Sequence, residues 1–318
     1  MKNASMRQLR VLVAVARHAS VSRAAEELHL TPPAVSMQLK ELETDIGLPL
    51  FDRIGRTVSL TMVGEHLLVY AQRILATLRE ADSAVARLRG LASGTLVIGM
   101  VSTAKYFLPR LLARFREEHP GVEMRLSLGN REALVRQLQG NEVDLAVMGR
   151  PPRELDTRAE PFAAHPHAVV AGAQHRLAQV EEIPPSALAG EGFIVREEGS
   201  GTRAAMEQFF REHSLRPPVV MEMGSNETIK QAVIANMGLS FLSLHTLGLE
   251  LERDLLRVVP VDGLPLVRRW HIVNMRGRTL SPAAEAFRYF ILERAEAFLA
   301  QLFPAEVLVS PSATSMGR

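Results

Sequence analysis

The chain has 318 residues, enough for two or three domains with their own cores, and its 47% hydrophobic, 23% charged composition is that of a globular protein. It contains no cysteine, which excludes disulfides, thiolate metal ligands and cysteine nucleophiles. The net charge of +2 is unevenly spread: residues 1–90 hold 12 Lys and Arg against 9 Asp and Glu, and the remainder 25 against 26. The excess of cations at the N-terminal end is a weak footprint for nucleic acid. No apolar run approaches a membrane span, and MKNASMRQLR leads into an amphipathic segment with no signal peptide visible. A cytoplasmic protein without a membrane partner is expected.

Residues 6–18 carry Leu9, Leu12, Val13 and Ala16 at helical spacing. Ser20 to Gly47 reads as a helix-turn-helix. Ala24 and Ala25 let a second helix cross closely, Leu28 closes the first helix, and His29–Leu30 form the turn. Thr31 caps the next helix, and Pro32 sits in its first turn, where no backbone N–H is needed. Val35, Leu39, Leu42 and Ile46 form its apolar stripe; Pro33, Ser36, Met37 and Lys40 form the opposite one. Such a helix suits a DNA major groove, although an ordinary helical hairpin has the same spacing. Residues 48–61 read as two short strands around Ile54–Gly55, with Arg53 and Arg56 near the tip. They are either a wing set against DNA or a solvated basic hairpin.

From residue 62 to 90 there is no proline, and Leu67, Ala71, Ile74, Leu78, Ala81, Val85 and Leu88 alternate at spacings of 4 and 3. That heptad seam predicts a dimerisation helix pairing two DNA readers; the alternative is a single helix packed on its own domain. After GLASG at 90–94, strands at 95–101, 122–128 and 143–148 alternate with helices at 107–115 and 131–138. A similar run follows, with strands at 193–197, 219–223 and 239–243 and helices at 202–213 and 226–236. A strand at 268–275 and a helix from Pro282 to Leu302 close the chain. The pattern predicts two α/β lobes hinged around a cleft.

In this order the elements resemble a LysR-type transcriptional regulator, most specifically through SRAAEELHLTPPAVSMQLKELETDIGLPLFDR at residues 22–53. The family often has Gln where Pro32 stands and Arg where Met37 stands, so operator contacts do not transfer from relatives; Ser36, Arg53 and Arg56 do match. Within the family, NREALV (130–135) followed by NEVDLAVMGRPP (141–152) resembles the regulators of Calvin-cycle carbon-fixation operons. The resemblance implies an α+β multidomain protein: a winged helix-turn-helix (1–61), a long dimerisation helix (62–90) and two periplasmic-binding-like lobes (91–302). Lobe I covers about 94–161 and 268–302, lobe II about 162–267, and a disordered tail runs from 303 to 318. It also implies an operator DNA partner contacted by Thr31, Pro32, Pro33, Ser36, Met37, Lys40, Arg53 and Arg56. A homodimer or homotetramer and a phosphorylated or nucleotide effector are implied too, with RNA polymerase a further candidate partner.

Small ligands bind open α/β sheets at loops running from strand ends into helix N-termini, where backbone N–H groups favour anions. Those loops hold Ser102, Thr103 and Lys105; Asn130 and Arg131; and, on the second lobe, Ser200, Thr202, Arg203, Asn226 and Glu227. Gly149 and Arg150 end the third strand. Each has a plainer reading: Ser102 and Thr202 as helix caps, Arg131 and Arg203 paired with Glu132 and Glu198, and Lys105 as a surface lysine. Ser102-Thr103-Ala104-Lys105 also fits S-x-x-K, the nucleophile motif of penicillin-recognising enzymes, but S-D-N and K-T-G are absent. His165 and His167 flank Pro166 with no further ligand at metal-site spacing. Neither G-x-G-x-x-G nor a P-loop occurs. The expectation is a regulator, not an enzyme, with no metal or cofactor.

Overall fold

The computed structural model describes residues 4–54, 57–88 and 94–304, and the chain divides into two compact units, the first made of the N-terminal helices and strand hairpin with Gly140–Glu142, the second of the remainder. In the first unit, Ser5 opens α1 (Met6–His18) with a capping box. Its hydroxyl accepts from the Gln8 amide at 3.2 Å, and the Gln8 side chain accepts from the Ser5 amide at 2.8 Å. Leu9, Leu12 and Val13 are buried and Ala16 is half-buried. Val11 and Val15 are buried as well, because helices cover α1 on more than one side. α2 (Val21–Glu27) is capped by Ser20 and buries Ala24 and Ala25. α3 (Pro32–Ile46) starts on Thr31 and ends on Gly47, whose φ of 81° is a left-handed stop. It buries Val35, Leu39 and Leu42, each contributing about 1.5–3 kcal/mol through loss of apolar surface. β1 (Phe51–Ile54) and β2 (Thr57–Leu60) form an antiparallel hairpin.

α4 (Met62–Leu88) is one continuous helix, and part of its seam packs within the chain. Leu67 and Ala71 are buried in the first unit's own core, and Ile74 packs against that core. Leu67 and Ala71 are therefore covered within the chain itself, while Ile74 keeps part of its surface exposed. The same 4-and-3 spacing serves an intrachain face as well as a coiled coil. Leu78 is half-buried and Ala81 exposed, while the side chains of Val85 and Leu88 lie outside the described residues.

The second unit begins with β3 (Gly94–Val101), α5 (Leu108–Glu118), β4 (Val122–Gly129), α6 (Arg131–Gln139) and β5 (Leu145–Met148). β4 and β5 flank β3 in parallel. β6 (Thr157–Gly172) follows, a 16-residue strand that the sequence does not announce. Next come β7 (Phe193–Arg196), α7 (Gly201–Glu212), β8 (Val219–Met223), α8 (Asn226–Ile234) and β9 (Ser240–Ser243). α9 (Gly248–Glu252), β10 (Leu256–Val258), β11 (Leu266–Met275) and α10 (Pro282–Leu302) complete the chain. The main sheet runs β10-β6-β11-β5-β3-β4, with β9 also on β6, while β7 and β8 form a separate parallel pair.

β6 and β11 pair antiparallel from Thr157 opposite Met275 to His167 opposite Leu266. The lobe boundaries expected near 161 and 268 fall inside these two strands. Pro161 and Pro166 hide β6 in the sequence, since proline cannot donate to a ladder. Pro161 is tolerated at a register shift between Trp270 and His271. One face of the sheet buries Phe107, Phe115, Trp270 and Phe287, the other Leu134, Leu138, Ala146 and Met148. Phe303, expected in the frayed tail, is instead buried and stacks on His245 with ring centroids 4.6 Å apart. Residues 305–318 lie outside the described residues.

Gly64, at the start of α4, touches the strand hairpin so closely that an added Cβ would sit 2.1 Å from the Leu50 carbonyl oxygen. Gly64→Ala should destabilise the first unit by about 1–3 kcal/mol, read as a fall of several degrees in its calorimetric midpoint. An unchanged midpoint would mean that these backbones are not in contact.

Candidate functional site

On α3 the Thr31 hydroxyl accepts from the Ala34 amide at 3.4 Å, which fixes where the helix enters. Thr31, Pro32, Pro33, Met37 and Lys40 are exposed and Ser36 is half-buried. The face opposite the core is thus one cation among small and apolar side chains, and Met37 is 55% exposed. Arg53 falls on β1 opposite Val58; its side chain, and all of Arg56, lie outside the described residues.

The second unit holds a cavity of about 30 Å3 where its two lobes meet. The first lobe supplies Ser102 and Thr103 after β3, Asn130 and Arg131 after β4, and Gly149 and Arg150 after β5. Arg196 ends β7, and Ser200, Gly201 and Thr202 form the entry to α7. The remaining wall comes from the long strand pair, with His165 and His167 on β6 and Arg268 on β11. Strands alternate their faces, so His165 and His167 share one side of the sheet, and Arg268 stands opposite His165 in register.

Four guanidinium groups surround this space. Arg196, 3% exposed, is bidentate to Glu197 at 2.7 and 2.9 Å and donates to Asn226 Oδ1 at 2.6 Å and Ser102 Oγ at 3.0 Å. Arg131 reaches both oxygens of exposed Glu154, at 3.0 and 3.2 Å. Arg268 donates only to carbonyls, Gly201 at 2.8 Å and Gly149 at 3.2 Å, and so ties the two lobes together. Burial, then the charges of Arg150 and Arg131, push its pKa down, the mark of positive potential without a nearby countercharge.

The two histidines behave differently. His165 Nε2 lies 3.0 Å from Ser243 Oγ, and its ring stacks on Trp270 with centroids 3.7 Å apart. His167 Nδ1 lies 3.0 Å from the His165 carbonyl. Burial holds His165 well below the usual imidazole range and lowers His167 to about 3, with Arg268 adding to both shifts. Burial also lowers His245 to about 4. All three rings are therefore neutral at physiological pH. Among the described residues no group of His, Asp or Glu is arranged to hold a metal.

Eight of the twelve residues expected at the effector site line the cavity; Lys105, Arg203, Asn226 and Glu227 do not. Lys105 pairs with Glu227 at 3.3 Å, and Glu227 also accepts from Tyr106 and from the buried Lys230. Burial works against the charge of Glu227, but these hydrogen bonds win and its pKa is lowered. Asn226 is occupied with Arg196, while Arg203 turns to Glu207 and Glu222. The partners foreseen for Arg131 and Arg203, Glu132 and Glu198, are thus replaced by Glu154 and by Glu207 with Glu222. The Ser102 hydroxyl meets Arg196, a pure donor, and Lys105 is committed to Glu227, so no base stands ready for an acyl-enzyme step.

Arg196, Arg268, His165 and His167 were not foreseen. Arg196 was legible, because it stands next to the carboxyl end of the strand expected at 193–197, where ligands gather. Arg268 and the histidines became visible only with the pairing of β6 and β11.

Residues 6–65 match the family model of the bacterial regulatory helix-turn-helix protein, lysR family, and residues 89–296 match that of the LysR substrate binding domain. The chain belongs to the LysR family of transcriptional regulators. It is 50% identical over 295 residues to the HTH-type transcriptional regulator CfxR of Cupriavidus necator, covering 93% of each chain. To the RuBisCO operon transcriptional regulator of Allochromatium vinosum it is 50% identical over 291 residues, 92% of this chain and 96% of that one. Among solved structures, the Synechocystis CcmR regulatory domain in complex with 2-phosphoglycolate matches with a TM-score of 0.61 at 42% identity. That match covers 63% of this chain and 96% of the domain. These relatives are named as regulators, not enzymes, and no described helix is long and apolar enough to cross a membrane.

The histidines make the stability of this LysR-family chain pH-dependent. Their folded pKa values lie below the unfolded value of 6.5, so below about pH 6.5 the unfolded chain takes up protons that the folded chain refuses. Stability is then present above that pH and lost as pH falls, by about 1.4 kcal/mol per pH unit for each neutral ring. Urea unfolding between pH 7 and 5 should show this slope, reduced by about one proton in His245→Phe. Flat stability across that window would mean that the rings ionise in the folded chain.

Proposed function

We propose that the chain regulates carbon-fixation genes by binding operator DNA through α3 and the β1–β2 hairpin, and that a phosphorylated metabolite in the cavity controls it. The carrying observation is the cavity's charge: Arg131, Arg150, Arg196 and Arg268 converge on it, and Arg268 has only carbonyl partners. A phosphate ester supplies two negative charges and three acceptor oxygens, which guanidinium forks bind bidentately. Ser102, Thr103, Ser200 and Thr202 add hydroxyl donors around it. Supporting this reading, relatives 50% identical include a RuBisCO operon regulator, and the CcmR domain holds 2-phosphoglycolate.

In this reading Lys40, Arg53 and Arg56 neutralise phosphates while Pro33, Ser36 and Met37 face the groove. Two copies pair through α4, beyond the part spent on the first unit's core, and read two half-sites in the cytoplasm. The assembly is a homodimer or a pair of dimers, with RNA polymerase as a further partner.

The test is a thermal-shift panel on the full chain. It sets phosphoglycolate, ribulose bisphosphate, phosphoenolpyruvate, NADPH and ATP against aromatic acids and amino acids. A ligand at a hundredfold its dissociation constant stabilises by about 2.7 kcal/mol, and the phosphorylated compounds should do so in the native chain but not in Arg268→Ala. Stabilisation by non-phosphorylated acids alone would overturn the phosphate assignment.

A further inference from the structure

His167 is fully buried, lines the cavity, and leaves its Nε2 without a hydrogen-bond partner. Its tautomer follows from its other nitrogen. Nδ1 lies 3.0 Å from the His165 carbonyl oxygen, and a carbonyl can only accept, so Nδ1 carries the proton. In the neutral ring Nε2 is then a bare acceptor. The neighbouring groups do not supply its donor. Arg268, the nearby cation on β11, donates Nη1 to Gly201 and Nη2 to Gly149, and none of its other N–H groups reaches His167 Nε2. His165 meets Ser243 on β9 through Nε2 and its Nδ1 is likewise without a partner, so it does not reach His167 Nε2, while His245, in the turn after β9, accepts from the Trp270 indole. Phe241 on β9 stacks on the ring and offers no polar atom.

A bare acceptor repels a phosphate oxygen, which also presents lone pairs, so the phosphate belongs with the arginines. The group that fits Nε2 is an O–H on the ligand's carbon skeleton. We propose that His167 is a specificity-determining residue whose Nε2 accepts a hydrogen bond from a hydroxyl of the effector, so that the cavity selects hydroxylated phosphate esters over their deoxy counterparts. This rests on the reading of the cavity as a phosphate-ester site, in which 2-phosphoglycolate, the ligand of the CcmR domain, has no carbon-bound hydroxyl and counts among the weaker, deoxy esters. A site built to pair a hydroxyl discriminates against the analogue lacking it, because that analogue leaves a buried polar atom unpaired.

The experiment is calorimetric titration of the full chain with two matched pairs. The first is 3-phosphoglycerate and 3-phosphooxypropionate; the second is ribulose 1,5-bisphosphate and 2-oxopentane-1,5-diyl bisphosphate. The hydroxylated member of a binding pair should bind about tenfold tighter or more. In His167→Phe its affinity should fall to that of the deoxy compound, whose own affinity stays unchanged. Nitrogen-15 spectra of the native chain give an answer that does not depend on the variant folding: the His167 Nε2 resonance should move upfield with the hydroxylated ligand only. Equal affinities within each pair, or a preference that survives in a folded His167→Phe, would overturn the inference and leave the phosphate reading standing. Failure of all four compounds to bind would overturn both.

Discussion

Strands β6 and β11 run antiparallel through both lobes of the second unit, and the cavity wall formed by His165, His167 and Arg268 comes from that pair. Alternation along β6 turns His165 and His167 to one side, and alternation along β11 turns Arg268 and Trp270 to the same side. Trp270 stacks under His165 at 3.7 Å and donates to His245 at 3.0 Å, so the aromatic layer beneath the cavity is fixed from several directions. A one-residue slip in this register would exchange the cavity-facing side chains for their neighbours. The loops carrying Ser102, Asn130, Gly149 and Thr202 gain their meaning from that common wall.

Charge gives the cavity its chemistry. Burying several guanidinium groups together is unfavourable unless an anion or carboxylates answer them. Glu197 and Glu154 answer Arg196 and Arg131, and Arg268 is left with the carbonyls of Gly149 and Gly201. The neighbouring imidazoles stay neutral because burial forbids their charge, so they add acceptor capacity and no further repulsion. A bound anion would relieve Arg268 while the lobe-bridging bonds remain available to move. That links the occupancy of the cavity to the relative geometry of the lobes.

Much of this was legible in the sequence because local rules govern it. The cap at Thr31, Pro32 in the first turn of α3, Ala24 and Ala25 where helices cross, and the stripe Val35–Leu39–Leu42 are short-range features, and they form as expected. The strand-end loops likewise bring Ser102, Asn130, Arg131 and Thr202 to one cavity. What escaped depends on long-range pairing. β6 is masked by Pro161 and Pro166, and with it went the roles of His165, His167 and Arg268. Lys105, Arg203, Asn226 and Glu227 stand at suitable loop positions but are held by partners distant in sequence or on the next turn. The seam of α4 is only partly legible for another reason: an apolar stripe does not say which surface covers it, and Leu67 and Ala71 face their own unit.

The central claim is that an anion in the arginine-lined cavity changes how the chain holds DNA. The most direct measurement is a DNase I footprint of the full-length chain on an operator selected from random DNA, with and without a phosphorylated compound that stabilises it. This compound should alter the footprint of the native chain. Arg268→Ala should show no change in its own footprint when ligand is added. A footprint that the bound compound leaves untouched, or that shifts equally in Arg268→Ala, would contradict the account.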